Sequence, residues 1–176
     1  GRVFSTDVNQ GRVAYLTFDD WGSDIAITKL LEVLDKYDVK ATFFIRTNNV
    51  QDNPNLLRAI AAAGHDICSH TDQHVSLSNT TSKADVYESL TDEQLSVLQQ
   101  DVITSWDKLV SIVGDVSYDG SPVLQKLFRS PTLSVSKGGM RVIFDLGFDY
   151  IVSGSYSSMD YESTSARSLY MRLDSH

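Results

Sequence analysis

Strand signals alternate with helix signals along most of this chain, and the alternation predicts an α/β fold, a parallel sheet or barrel joined by right-handed crossovers. The candidate strands are short apolar runs, and the helices between them carry Pro, Gly and capping residues where helices start and stop. The 176 residues and 41% hydrophobic content suit one domain over 1–176 with a sizeable core.

Each element has its own reason. Val13-Ala14-Tyr15-Leu16 is an apolar run that reads as a buried strand ending at Thr17-Phe18-Asp19-Asp20. Ile27, Leu30, Leu31 and Leu34 recur at helical spacing, so 25–37 is predicted as a helix. Val39 to Ile45 reads as the next strand. Pro54 opens a helix whose inner face is Leu56, Leu57, Ile60 and Ala61, and Gly64 closes it. Ile67-Cys68-Ser69 is a strand leading into His70-Thr71-Asp72-Gln73-His74, and the polar stretch 76–84 reads as an exposed loop. Thr91-Asp92-Glu93-Gln94 has the form of a capping box. Leu95, Leu98, Val102, Trp106, Leu109 and Val113 then extend a long amphipathic helix. Leu127-Phe128-Arg129 is a short strand, 138–146 a helix stopped by Gly147, 150–152 a strand and 166–173 a last helical segment.

Charge and composition narrow the function classes. A net charge of -8 argues against nucleic-acid backbones and anionic membrane surfaces as partners. No apolar run approaches membrane-spanning length, so no membrane insertion is expected. Cys68 is the single cysteine, which rules out an internal disulfide, and its place in an apolar strand predicts a buried, inert thiol. No signal peptide is visible and the chain starts at Gly1, so a processed or excised piece is expected.

The chemistry gathers at two strand ends. Asp19-Asp20 and the His70/His74 pair each sit where a strand gives way to a loop, which is where strand–helix folds place their sites. One carboxylate and two imidazoles make a three-ligand set with room for water, as a hydrolytic metal needs, and the second carboxylate is free to act as a base. On an extended chain the two Asp side chains point opposite ways, one to a metal and the other to a reacting water. His70 and His74 share a face if the segment turns helically. Each motif also has an ordinary reading: paired acids cap helices, and H-x-x-x-H arises by chance. His65 follows the helix-ending Gly64 and reads as structural.

Taken together these residues resemble the polysaccharide deacetylase family, also called the NodB-homology domain or carbohydrate esterase family 4. Thr17-Phe18-Asp19-Asp20 matches its T-F-D-D motif, His70-Thr71-x-x-His74 its H-[ST]-x-x-H, and Arg129-Ser130-Pro131 its R-x-P. Lys40-Ala41-Thr42-Phe43-Phe44 and Gly64-His65-Asp66-Ile67 fall where the family has K-A-T-F-F and G-H-E-I. The resemblance implies a distorted (β/α) barrel with fewer than eight strands. It implies Asp20, His70 and His74 as metal ligands and Asp19 as catalytic base. Arg129 would pair with Asp19 and favour its ionised form. The Thr132 N–H would be an oxyanion donor; Asp160 would join the catalytic group, with Pro131 and Tyr161 on the substrate side. The metal expected is one divalent ion, zinc first, with cobalt, nickel or manganese also suiting the donors. The substrate implied is an acetylated polysaccharide or oligosaccharide: peptidoglycan or chitin-type N-acetyl groups, or xylan O-acetyl groups. The resemblance also implies an extracellular or cell-surface location.

Departures from the family pattern keep other readings open. Trp21 stands before Gly22, and serves either as a sugar platform or as packing under the site. The third motif continues Thr132-Leu133 rather than Tyr-Gly, and the fourth reads Asp160-Tyr161 rather than Asp-Trp. The general-acid L-x-H has no match in Leu173-Asp174-Ser175-His176, so the last strand and the acid are expected beyond His176. A catalytically impaired glycan-binding relative, or a deacylase of a small non-glycan amide, are the alternatives.

Overall fold

The computed structural model describes residues 14–80, 89–154, 158 and 165. They form an α/β unit whose main sheet is parallel, in agreement with the alternation of elements. Strands β1 (Thr17–Asp19), β2 (Thr42–Ile45) and β3 (Asp66–Ser69) run in order. The short strands β4 (Ser117–Tyr118) and β5 (Ser121–Pro122) form a separate antiparallel pair. β6 (Leu124–Phe128) and β7 (Tyr150–Ile151) complete the sheet in the order β1-β2-β3-β6-β7, a partial barrel.

The helices form where the sequence supplies ends and a buried stripe. α1 (Asp24–Lys36) is capped by Ser23, and α2 (Pro54–Ala62) by Asn53, with Pro54 in its first turn. Gly64 follows α2 at φ 83°, a left-handed position where a side chain would also collide with the Tyr118 ring. α3 (Asp92–Val113) carries the full capping box between Thr91 and Gln94. α4 (Lys137–Asp145) is capped by Ser136.

Two apolar clusters hold these layers together. Phe43, Ile45 and Ile67 pack against α1, α2 and the C-terminal half of α3. Leu98, Val102, Phe128, Ile143 and Phe148 join the N-terminal half of α3 to α4 and β6. Among the described residues no helix is long and apolar enough to cross a membrane.

Three expectations need correction. The first strand lies at Thr17–Asp19, and Tyr15 and Leu16 are exposed rather than buried. β1 is an edge of the described sheet, so one flank of the apolar run has no neighbouring strand there. The stretch after His74 is not wholly an exposed loop: Leu77 and Ser78 are buried, and Leu77 bridges Val135 and accepts from the Ser136 amide. The His70–His74 segment is not helical, as shown below. The expected helix at 166–173 lies outside the described residues.

Candidate metal centre

The parallel register brings the site residues to one rim. Asp19 pairs with Phe44, Ile45 with Ser69, and Ser69 with Phe128. The residue just past each strand continues the ladder. Asp20 donates its amide to the Phe44 carbonyl at 3.0 Å, His70 to Ile45 at 3.0 Å, and Arg129 to Ser69 at 3.2 Å. Asp20, His70 and Arg129 are therefore fixed relative to one another by backbone hydrogen bonds.

The three predicted ligands converge. The Asp20 Oδ1 lies 3.9 Å from His70 Nε2 and 3.8 Å from His74 Nε2, and all three donor atoms fall within 4.8 Å of one another. Bonds of 2.0–2.2 Å to a tetrahedral zinc imply donor separations of roughly 3.3–3.6 Å, so the two Asp20 pairs need to close by a few tenths of an ångström and the widest pair of the set by about 1 Å. The tautomer also fits. His70 Nδ1 lies 2.8 Å from the Arg129 carbonyl, which only accepts, so Nδ1 carries the proton and Nε2 presents its lone pair. Burial, reinforced by the neighbouring His70, holds the His74 pKa below its ordinary value despite Asp20, which keeps that imidazole neutral and available as a donor.

The route by which the histidines meet differs from the expectation of a helical turn. The loop uses left-handed backbone at Thr71 (φ 69°) and His74 (φ 62°), and the rings sit edge to face with centroids 5.2 Å apart. Asp20 is likewise left-handed at φ 71°, so the paired acids part through a bend and not along an extended strand. Of the seven non-glycine residues with positive φ among those described, five lie at this rim: Asp20, Thr71, His74, Thr132 and Leu133. Such strain gathers where function over-determines the backbone.

Arg129 and Asp19 form the second half of the site. Arg129 is buried, and its Nη1 donates to Asp19 Oδ1 at 2.7 Å and to Thr17 Oγ1 at 2.8 Å. Its Nε donates to the Val152 carbonyl at 3.3 Å, and its guanidinium lies 4.1 Å from the centre of the Phe44 ring. Thr17 and Phe44 escaped the sequence reading, although both stand inside the matched motifs. Trp21 is half-buried and packs against the core cluster, closer to the packing alternative. Pro131 is buried on a short 3-10 turn, Pro131–Leu133, and Thr132 is exposed beside it. Leu133, Met140 and Ile151 help line an adjoining open hollow of about 250 Å³. Asp160, Tyr161 and His176 lie outside the described residues.

Polar groups from α3 back the histidine loop. Asp101 accepts the amides of Asp72 and Gln73, each at 2.8 Å, on separate oxygens. Burial pushes the Asp101 pKa above the usual carboxylate value, and those two amides partly offset it. Burial also works against the Asp72 carboxylate, but hydrogen bonds from Lys108, Thr47 and Gln73 outweigh it and hold its pKa down. Two further buried polar atoms near this rim, Arg46 Nε and Thr71 Oγ1, have no partner among the described residues. His65 is structural as expected, accepting the Ala41 amide at 3.2 Å and lying against Phe43. Cys68 is fully buried.

Known proteins match this chain in sequence and in fold. The family model for polysaccharide deacetylase matches residues 6–105, more than half of the chain. The chain belongs to the polysaccharide deacetylase family. It is 41% identical over 73 residues to a chitooligosaccharide deacetylase of Rhizobium leguminosarum bv. trifolii, covering 42% of this chain and 34% of that protein. It is 45% identical over 76 residues to a peptidoglycan-N-acetylglucosamine deacetylase of Bacillus cereus, covering 43% of this chain and 27% of that protein. The matched stretches thus span between about a quarter and a third of those relatives. A solved structure of a carbohydrate esterase family 4 pseudoenzyme from Bacillus anthracis superposes with a TM-score of 0.69 at 17% identity, over 92% of this chain and 50% of that one. At that identity the likeness shows the fold alone.

Proposed function

We propose that this chain carries the active site of a metal-dependent hydrolase that removes acetyl groups from a polysaccharide, with N-acetylglucosamine polymers as the favoured substrate and zinc as the favoured ion. The observation that supports it most is the convergence of Asp20, His70 and His74 beside a second carboxylate, Asp19, which is paired to a buried arginine and not to the ligand set. The named activities of the chitooligosaccharide and peptidoglycan relatives point to the substrate class. Action on such a polymer fits an extracellular or surface location.

Asp20, His70 and His74 would hold the divalent ion, which supplies Lewis-acid polarisation of water and of the acyl oxygen. Asp19 takes the proton of the attacking water. Arg129 aims that carboxylate through its 2.7 Å hydrogen bond and is itself fixed by Thr17, Val152 and Phe44. The Thr132 N–H donates to the oxyanion that develops as the carbonyl is attacked, a contribution of about 3–4 kcal/mol per donor in well-formed sites. The C–N bond then breaks, acetate is released, and the departing amine takes one proton, the equivalent of the one that Asp19 removed from water.

Asp19→Asn tests this reading. Acetate release from acetylated chitooligosaccharides should fall to background, while zinc binding measured by calorimetry stays near the wild-type value. Retained turnover removes Asp19 as the base. Glycan binding with no acetate release from chitooligosaccharide, peptidoglycan or acetylated xylan, in a form extended past His176 to restore the expected acid, replaces the hydrolase with a binding module.

A further inference from the structure

We propose that α3 is a positioning element for the metal centre: Asp101, with Lys108 as a second latch, sets the conformation of the loop between His70 and His74 and so the reach of the His74 imidazole. The inference rests on reading Asp20, His70 and His74 as the metal ligands.

The backbone of the loop cannot hold itself. It leaves β3 at Ser69, turns through a left-handed threonine and reaches His74 in a second left-handed conformation. Left-handed backbone is uncommon for any residue but glycine, and a β-branched threonine there is a genuine outlier, so contacts from outside the loop are needed to hold it. The amides gripped from outside are those of Asp72 and Gln73, between the two candidate ligands. Only a carboxylate offers two oxygens to two successive N–H groups, and charge-assisted bonds of this kind are the strong ones.

The second latch acts on the side chain. Lys108 Nζ donates to Asp72 Oδ1 at 2.7 Å, and Thr47 Oγ1 donates to the same oxygen at 2.6 Å. Gln73 Nε2 closes the other side on Asp72 Oδ2 at 2.7 Å. A third contact joins Ser105 Oγ and Ser69 Oγ at 3.0 Å. Asp101, Ser105 and Lys108 stand at i, i+4 and i+7, so one stripe of α3 meets the end of β3 and the loop. The flanking stripe of Leu98, Val102 and Leu109 packs into apolar clusters. A helix needed only for packing has no use for a buried carboxylate at this level; a helix that must hold two amides at fixed positions does.

The test uses Asp101→Asn, which keeps shape but cannot accept from both amides. Asp107→Asn, exposed on the same helix, removes the same charge and serves as the control. Zinc affinity is measured by calorimetry on metal-free protein, and exchange of the Asp72 and Gln73 amides is followed by NMR without metal. Asp101→Asn should lose about tenfold or more in zinc affinity, the usual scale for a partner one step behind a ligand, and both amides should exchange faster. Asp107→Asn should change neither. A purely structural role would lower the melting temperature yet leave the zinc affinity of the folded protein intact, and that result overturns the proposal. So does faster exchange with wild-type affinity. If Asp101→Asn fails to fold, Lys108→Met, which keeps both Asp101 bonds, carries the test: a several-fold loss of affinity supports the second latch, and no loss overturns it. A wild type that binds no zinc refutes the ligand reading itself, whereas zinc-binding wild type with unaffected variants refutes only the positioning role.

Discussion

Replacing Arg129 with methionine removes a cation from a place that water reaches poorly. Arg129 is 4% exposed, while the Asp19 side chain is 34% exposed. Breaking a buried ion pair from one side typically costs about 3–5 kcal/mol, because the remaining charge is left uncompensated. Water takes over part of the solvation of Asp19, which reduces the figure to about 2–3 kcal/mol for this half-open pair. Thr17 Oγ1 and the Val152 carbonyl lose their donor in the same step. For a domain of this size the loss corresponds to a melting temperature lower by about 4–12 °C. The measurement belongs in metal-free protein, since ion binding adds stability by mass action. Scanning calorimetry of wild type, Arg129→Met, Asp19→Asn and the double variant closes the cycle. Because the two groups touch, the double variant should lose less than the sum of the single losses. Additive losses, or an Arg129→Met protein that melts with the wild type, would refute the claim that Arg129 is anchored through Asp19.

Three other outcomes follow from the geometry. Asp20→Asn and His74→Ala should each weaken zinc binding by orders of magnitude in calorimetry; unchanged affinity in both would place the ion elsewhere. Thr91→Ala removes the hydroxyl that accepts the Gln94 amide while the residue-91 amide keeps its bond to the Gln94 side chain, and should cost about 1 kcal/mol, a melting temperature lower by about 2–4 °C; an unchanged melt would show that the helix end is held by other contacts. Burial, helped by Asp66 and opposed by Arg129, pushes the Cys68 thiol well above its ordinary pKa, so the native protein should resist alkylation at pH 8 and react only when unfolded; rapid labelling of folded protein would contradict that burial.

Residue type and order made the parallel α/β plan and the donor set legible, since alternating elements, caps and strand-end Asp and His are written locally. What they did not carry was register and curvature. The apolar run before Thr17 marks a strand, but its extent is decided by pairing with β2, and Tyr15 and Leu16 fall on an edge. The H-x-x-x-H spacing was readable, yet the rings meet through positive φ at Thr71 and His74, which spacing does not encode. The polar stripe of α3 was hidden because helical periodicity was followed through apolar residues. Asp101, Ser105 and Lys108 have the same spacing in a different chemistry, and that second stripe is the signal that was available.

The donors are held to different degrees, and this sets the order in which they should fail. Asp20 and His70 lie one residue beyond strands, each tied to the neighbouring strand through its own amide. His70 is further fixed through Nδ1 on the Arg129 carbonyl, and its side chain is 4% exposed. His74 lies four residues further on, its side chain is 34% exposed, and its loop depends on bonds from α3. Perturbing α3 should therefore release His74 while His70 stays in place. In NMR spectra of the imidazole groups of metal-free Asp101→Asn, the His74 ring signals should shift and broaden, and those of His70 should keep their wild-type positions. The hierarchy fails if both rings respond alike, because the helix would then act on the whole rim and not on the loop it touches. It fails equally if His70 responds alone, since its anchors lie on β2 and β6, away from Asp101.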